Sequence, residues 1–224
     1  FSLFSKLYIY VQKYAFRRKL KLIQKYYNKP GIHLDIGGGK GDFCKFMQNQ
    51  GWSTTNQEVS KQALKISNKH SIVSIQDIDQ NIESESIDLI TAWHSIEHIH
   101  RIDRLFLELQ RILKPKNYFL LCVPNSNAIE QSFYKNKWVA WDAPRHLYHF
   151  SPELLKKYVE KNNFEVIYYE SLLQDTAYNI LLSIDKKNIY SYLKSFFVIL
   201  ISYFVIAFCG YKKSSSFIMV CRKK

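Results

Sequence analysis

The sequence is poor in cysteine, and its few cysteines are widely separated. Cys44, Cys122, Cys209 and Cys221 form no C-x-x-C motif. This spacing argues against a disulfide-stapled extracellular domain and against a zinc site built from cysteine pairs. No secretory signal precedes the first motif, and the chain does not begin with Met. A reducing, cytoplasmic location is therefore expected for a chain whose 224 residues suffice for one compact domain.

Acidic residues are also scarce. The chain has 19 acidic and 32 basic residues, a net charge of +13, and residues 1–34 contain no Asp or Glu. Basic and apolar residues are interleaved over residues 1–30, which predicts a basic amphipathic helix. That helix can lie on an anionic bilayer or pack its apolar face on the domain. The charge fits a membrane surface, a nucleic acid or an acidic substrate, although an AT-rich genome would produce the same excess of Lys.

Long apolar runs are absent except near the C-terminus. Residues 195–210 are apolar on every side, but this run is shorter than the roughly 20 residues that cross a bilayer. Extended back to Ile189, the run includes one charge, Lys194. A strand with a basic end, 216–224, follows, and if it joins the sheet both ends of the apolar segment lie on one side. A buried helix, or one that dips into a leaflet, is therefore favoured over a membrane span.

What the sequence does contain is an alternation of short apolar runs and helical patterns. This alternation is typical of βαβ units and predicts a Rossmann-like, seven-stranded, mostly parallel sheet with helices on both faces. The predicted strands are 32–36, 53–59, 71–76, 87–93, 118–123, 164–170 and 216–224. We expect one domain over 31–224, with a long loop at 125–150 and an apolar helical insertion at 186–211.

A glycine-rich loop follows the first predicted strand, where open α/β sheets bind ligands. The stretch from Asp35 to Gly41 reads DIGGGKG. The nicotinamide fingerprint G-x-G-x-x-G/A fits from neither Gly37 nor Gly39, and Lys40 is not followed by the Ser or Thr of a phosphate-binding P-loop. Both of these nucleotide-binding classes are therefore disfavoured.

The pattern D-x-G-x-G-x-G instead resembles motif I of class I S-adenosylmethionine-dependent methyltransferases. Ordered matches over about residues 30–170 are closest to the branch with the ubiquinone-biosynthesis O-methyltransferases. The resemblance implies that Glu58 holds the ribose hydroxyls and that Asp77 and Ile78 lie beside the adenine. The full set of cofactor-binding residues that it implies is Asp35, Gly37, Gly38, Gly39, Gly41, Glu58, Val59, Asp77, Ile78, Trp93 and His94.

The stretch WHSIEHIH (93–100) permits two interpretations. His94, Glu97 and His98 spell H-x-x-E-H, which on one helix would make a metal-dependent hydrolase. The predicted fourth strand runs directly into this stretch, however, which favours the methyltransferase loop facing the sulfonium. The ubiquinone branch has E-x-x-E-H here, with a divalent metal. Because position 94 is His, a divalent metal remains only an alternative, and no residue is assigned as a metal ligand.

The 125–150 loop covers the acceptor pocket in the family that the chain resembles. Three histidines, His98, His146 and His149, are candidates for the base that an acceptor hydroxyl needs. The candidate acceptor-binding residues are Glu97, Trp138, Trp141 and Arg145.

No D/N-P-P-Y stretch follows the fourth strand, which argues against methylation of nucleic-acid bases and against a nucleic-acid partner. We expect O-methylation of a small-molecule, lipid-linked or sugar acceptor, with a peripheral contact at the inner face of the membrane. The oligomeric state and a non-catalytic binding role stay open.

Overall fold

The computed structural model describes residues 3–78, 82–185 and 188–224, and the side chains from residue 10 onward. Seven strands form one sheet in the order β3-β2-β1-β4-β5-β7-β6, and β7 runs antiparallel to both of its neighbours. The strands are β1 (Ile32–Ile36), β2 (Ser53–Gln57), β3 (Val73–Ile75), β4 (Ile87–Trp93), β5 (Leu113–Pro124), β6 (Phe164–Ser171) and β7 (Ser216–Lys223). The predicted Rossmann-like fold is confirmed.

Helices cover both faces of this sheet. They are α1 (Leu3–Ile23), α2 (Asp42–Gln48), α3 (Lys61–Lys69), α4 (Ile102–Ile112), α5 (Gln131–Tyr134), α6 (Pro152–Lys161), α7 (Leu173–Leu182) and α8 (Ile189–Cys209). The start of α6 is as predicted, because the Ser151 hydroxyl accepts a hydrogen bond from the Leu154 amide and Pro152 begins the helix.

Several boundaries differ from the expectation. β2 and β3 are shorter than predicted, ending at Gln57 and covering only Val73–Ile75. β5 begins at Leu113, five residues before the predicted strand, because the chain passes directly from α4 into the sheet at the Ile87–Leu113 pairing. α7 was not predicted; it begins after Leu172 without a side-chain cap.

The core lies in two layers. On one face of the sheet, α4 and α6 pack Phe106, Leu109 and Leu155 against strand residues. On the other face, α2 and the end of α1 pack Phe43, Ile23 and their neighbours. The last turns of α1 are thus part of the domain core.

The predicted basic helix therefore has two different halves. Leu20, Leu22 and Ile23 are buried, whereas Tyr10 and Tyr14 are exposed. Packing on the domain holds for the C-terminal end of α1. The exposed end keeps the basic amphipathic character that the sequence shows.

The apolar insertion forms α8 between α7 and β7; residues 186–187 of the predicted insertion lie outside the described residues. α8 has the length and composition to cross a membrane, yet only 22% of its apolar window is buried. Because β7 pairs with β5 and β6, both ends of α8 are tied to one side of the domain. The low burial argues against a core helix, and the return of the chain to the sheet argues against a membrane span.

Candidate active site

The glycine loop lies where the strand order reverses. β1 has β2 on one side and β4 on the other, and ligands of open α/β sheets bind at the carboxyl ends beside such a point. Gly37, Gly39 and Gly41 have positive φ values of 65°, 57° and 78°, which side chains with a Cβ rarely adopt. A Cβ at Gly38 would lie 2.3 Å from Asn56 Oδ1. These positions require glycine because of the backbone conformation and the close packing of the turn.

Asp35, the acid of the glycine motif, is buried beneath this loop. Thr91 Oγ1 donates a hydrogen bond to Asp35 Oδ1 at 2.5 Å, and His33 Nε2 lies 2.8 Å from the same hydroxyl. Since the single hydroxyl proton goes to Asp35, His33 Nε2 is the donor to Thr91. Burial raises the pKa of Asp35 to about 6, although Thr91 and Lys19 act in the opposite direction. Asp35 therefore supports the loop from below.

Glu58 follows β2 and closes the other side of the loop. Its carboxylate accepts hydrogen bonds from the Gly39 amide at 3.0 Å and from the Ser60 amide at 2.9 Å. An acid held in this way beside a glycine loop can accept hydrogen bonds from two ribose hydroxyls. This placement agrees with the role that the resemblance implies for Glu58.

A cavity of about 560 Å³ opens in front of the loop. Of the predicted site residues, it is lined by Gly37, Glu58, Val59, Asp77, Ile78, His94 and His98. Sequence reasoning missed further lining residues, namely Gln57, Ser95, Ile99, His100, Arg101, Arg104 and Leu105. Most of these residues lie between β4 and the first turns of α4, directly after WHSIEH. Their position next to that stretch was the signal that could have identified them. The volume is in the range of small-molecule and cofactor sites.

Trp93, a predicted cofactor residue, lies on the other face of β4. Its ring packs edge-on against Phe43 at 5.7 Å between centroids, and Lys19 Nζ lies 4.1 Å from its centroid. Burial lowers the pKa of Lys19, although Asp35 and Asp175 act in the opposite direction. Lys19 thus fixes α1 to the strand that carries the site, a link that the sequence analysis did not foresee.

The H-x-x-E-H stretch does not form one helix. β4 ends at Trp93, His94 has a positive φ of 52°, and a short 3-10 turn covers Ile96–His98. The two imidazoles consequently do not share a helical face, which a zinc-peptidase site of this motif requires. The hydrolase alternative is not favoured.

His94 instead bonds to residues from other elements. Its Nε2 lies 3.0 Å from Asp175 Oδ2 at the start of α7 and 3.5 Å from Cys122 Sγ in β5. Burial lowers the pKa of His94, but the interactions with Cys122 and Asp175 outweigh it and hold the pKa well above its usual value. The pKa of Asp175 is lowered, because His94 outweighs the effect of burial there. His94 and Asp175 therefore form an ion pair that joins α7 to the cavity.

The 125–150 loop is docked onto the turn that carries Glu97 and His98. The Leu147 amide donates to the Glu97 carbonyl at 2.8 Å, and His98 Nδ1 lies 2.9 Å from the Arg145 carbonyl. His146 places its ring 4.7 Å from that of His98 and its Nδ1 2.8 Å from the Ala140 carbonyl. Two of the three predicted histidines are thus brought together beside the cavity.

The remaining predicted loop residues lie farther out. His149 bonds to the Trp141 carbonyl at 2.9 Å, and Arg145 pairs with Asp142 at 2.7 Å. Trp138 is buried in the small core of the loop and packs edge-on against Trp141. These four residues therefore stabilise the 125–150 loop.

Glu97, His98 and His146 make the one described group of side chains that could hold a metal ion. One ligand atom from each lies within 4.8 Å of the other two. The Glu97 carboxylate is fully buried and accepts no hydrogen bond, and its Oε1 lies 3.6 Å from His94 Nδ1. A buried carboxylate without a hydrogen bond can serve as a ligand to a divalent cation. His94, which the sequence motif would have included, lies outside this group, with its Nδ1 facing Glu97 and its Nε2 bonded to Asp175.

Solved structures share the fold at low sequence identity. Phosphoethanolamine N-methyltransferase 2 of Haemonchus contortus, in complex with S-adenosyl-L-methionine, is 16% identical with a TM-score of 0.62; the match covers 92% of this chain and 52% of that one, so this chain spans about half of its length. A Thermotoga maritima methyltransferase described as a "possible histamine N-methyltransferase" is 17% identical with a TM-score of 0.64, covering 98% and 94% of the two chains.

A third similar structure is geranyl diphosphate C-methyltransferase from Streptomyces coelicolor, in complex with Mg²⁺, geranyl diphosphate and S-adenosyl-L-homocysteine. It is 13% identical with a TM-score of 0.65, covering 93% and 77% of the two chains. The names of these three proteins include both N- and C-methyltransferases, so the fold does not assign an acceptor atom.

Curated proteins give no match to the chain. A family profile described as "Methyltransferase domain" matches residues 9–169, which is more than half of the chain. The glycine loop, the acid after β2 and the cavity between them suit S-adenosylmethionine as the cofactor. The chain belongs to the S-adenosylmethionine-dependent methyltransferases.

Proposed function

We propose that the protein transfers the methyl group of S-adenosylmethionine to a hydroxyl oxygen of a small-molecule, lipid-linked or sugar acceptor. In this reaction the acceptor oxygen attacks the methyl carbon in line, the sulfur–methyl bond breaks, and S-adenosylhomocysteine leaves. Positioning and exclusion of water supply most of the rate. The protein must also remove the hydroxyl proton, since an uncharged hydroxyl is a weak nucleophile.

The hydrogen bonding of His98 and His146 carries this proposal. In each ring, Nδ1 faces a backbone carbonyl, which can only accept, so Nδ1 carries the hydrogen. Nε2 of either ring, when the ring is neutral, then has a lone pair that can accept a proton. Burial lowers the pKa of His146, although its bond to Ala140 acts in the opposite direction, so this imidazole is neutral at pH 7. An acceptor hydroxyl needs such a neutral imidazole as its base, whereas an uncharged amine can attack without one.

A divalent cation is a second way to activate the same oxygen. Glu97, His98 and His146 would hold it through the buried carboxylate and the two Nε2 atoms, and the ion would polarise the acceptor oxygen. The observation that favours it is the buried Glu97 carboxylate, which accepts no hydrogen bond and whose one ion-pair neighbour among the described residues is His94 Nδ1 at 3.6 Å. Metal content of the purified protein separates the two mechanisms.

The branch of the family, the kind of acceptor and the location are proposed from the sequence alone. The resemblance to the ubiquinone branch, a lipid-linked acceptor and a position at the inner face of the membrane remain predictions. The candidate acceptor residues Glu97, Trp138, Trp141 and Arg145 belong to the 3-10 turn and to the loop that packs on it. We assign His149 to loop support, because it bonds to Trp141 rather than lining the cavity.

Methyl-labelled S-adenosylmethionine and matched phenol and aniline acceptors test the proposal. We expect label on the phenol oxygen, and a loss of about 10²–10⁴-fold in kcat for His98→Gln or His146→Gln, whichever is the base. His70→Gln, at an exposed histidine outside the cavity, is the control. Because the His146 pKa is lowered, a His146 base keeps the rate high at pH values below 6.5. Label on the aniline nitrogen alone would contradict O-methylation, and full activity in both variants would contradict a histidine base.

A further inference from the structure

α8 has its polar and apolar sides reversed relative to a helix in water. The side chains that it buries against the protein include Ser195 and Ser202, together with Val198 and Ile206. The Ser195 hydroxyl lies 2.9 Å from the Tyr134 hydroxyl, and Tyr203 donates to the Leu173 carbonyl at 3.2 Å. Its large aromatic and aliphatic residues face outward, with Phe204 67% and Phe208 78% exposed. Water does not stabilise such an arrangement.

The exposed apolar surface is broad. The outward residues of α8 are Ile189, Tyr190, Tyr192, Leu193, Phe196, Phe197, Leu200, Ile201, Tyr203, Phe204 and Phe208. At about 100° per residue they cover about half of the helix circumference. α7 extends the same surface with the exposed residues Tyr178, Leu181 and Leu182. A second helix from another copy would cover only a narrow seam, whereas a leaflet covers the whole arc.

The charge of this region fits an anionic lipid surface. No Asp or Glu occurs from residue 186 to the C-terminus, whereas this stretch carries Lys and Arg on both sides of the apolar window. Lys194 and Lys212 are exposed at its two ends. Basic residues flanking an apolar helix face interact with lipid headgroups while the apolar side chains enter the acyl region.

The α7–α8 pair also touches the site. Asp175 at the start of α7 holds His94 of the cavity, and the Val139 amide of the 125–150 loop donates to the Ser183 hydroxyl at 2.9 Å. Tyr134 connects the same loop to α8 through Ser195. A surface in contact with lipid would therefore lie beside the acceptor-covering loop.

We propose that the outward face of α7 and α8 docks into one leaflet of an anionic membrane, with α8 lying in the interface instead of crossing the bilayer. Both ends of α8 return to the sheet side, as this in-plane orientation requires. The inference stands on the packing and charge of α7 and α8, so it does not depend on which acceptor atom is methylated.

The full-length protein offers a direct probe, since Cys209 at the end of α8 is exposed whereas Cys44, Cys122 and Cys221 are buried. An environment-sensitive fluorophore on Cys209 should shift to the blue with phosphatidylglycerol-containing vesicles and be quenched by brominated lipid. The same label on Leu107→Cys in a Cys209→Ser background, at an exposed position of α4, should stay in water. No spectral change at Cys209 would overturn the proposal.

Flotation with the same vesicles supplies the second measurement. The triple variant Phe197→Ser, Phe204→Ser, Phe208→Ser should bind vesicles at least about tenfold more weakly. The control triple Val73→Ser, Leu107→Ser, Leu154→Ser removes exposed apolar side chains from other faces and should bind like wild type. Equal binding by both triples would contradict the docking surface, as would a stable dimer that only the α8 triple dissociates. The rise in melting temperature that S-adenosylhomocysteine induces in the α8 triple variant reports cofactor binding. If that rise is unchanged while vesicle binding is lost, the docking proposal and the proposed methyl transfer are tested independently.

Discussion

α4 and α8 occupy the same fold but are organised for different surroundings. α4 buries Phe106 and Leu109 against the sheet and shows its charged residues to water. α8 buries two serines and exposes phenylalanines. The β1–α4 half therefore buries its apolar side chains as a cofactor-binding α/β fold does, whereas the α7–α8 pair carries large apolar side chains on its outer face. Sequence hydrophobicity alone does not distinguish a core helix from a lipid-facing one; the direction of its polar residues does.

The largest effect that would test this comparison is on folding stability. Phe106 is fully buried and contacts Phe119 and Phe164, so Phe106→Ala should lower the free energy of unfolding by about 3–5 kcal/mol. Phe204→Ala should change it by less than about 0.5 kcal/mol, since that side chain is exposed and has little packing to lose. Urea unfolding without lipid measures both. A large loss at Phe204 would mean that α8 is a core element after all.

Cofactor binding gives the next largest effect, and it should belong to the β1–α4 half alone. At about a hundred times its dissociation constant, S-adenosylhomocysteine should add about 2.7 kcal/mol of stability, or roughly 5–10 °C in melting temperature for a chain of this size. Glu58→Ala should abolish most of that rise because it removes the carboxylate beside the glycine loop.

Glu83→Ala is the matched control, since it removes an exposed carboxylate outside the cavity. A rise that survives in Glu58→Ala would place the cofactor elsewhere. A rise that is lost in the α8 triple variant would show that the two halves are not independent.

The cofactor half could be predicted closely because its signals are local. Asp35 lies near the end of β1, the glycines follow β1 and Glu58 follows β2, and the strand order fixes where they meet. The sequence indicated His98 and His146 as candidate bases but not that their rings would lie side by side. That contact depends on how a 26-residue loop folds over a turn that is distant in sequence. The contact between His94 and Asp175 was not predicted, because α7 has no side-chain cap or clear periodicity from which that helix could be predicted. The exposure of α8 could not be predicted either, because it depends on how α8 packs against the rest of the domain.

The smallest expected effect concerns an ion pair that joins the two regions, His94 with Asp175. The pKa of His94 is raised above 6.5, so its contribution to stability is fully present below pH 6.5 and is lost as the pH rises through the folded value. The pKa of Asp175 is lowered below 3.8, so its contribution is present above pH 3.8 and is lost as the pH falls through the folded value. Asp175→Asn should therefore cost most between these two limits. Because the His94 side chain is 38% exposed, solvent screening reduces the expected cost to about 1 kcal/mol or less. Urea unfolding of wild type and variant at pH 5.5 and pH 9 measures the difference, and Glu83→Gln, at an exposed carboxylate outside the cavity, is the control. A cost that does not shrink at the higher pH would show that Asp175 supports α7 by its shape and hydrogen bonds, and that the two regions are joined without the charge on His94.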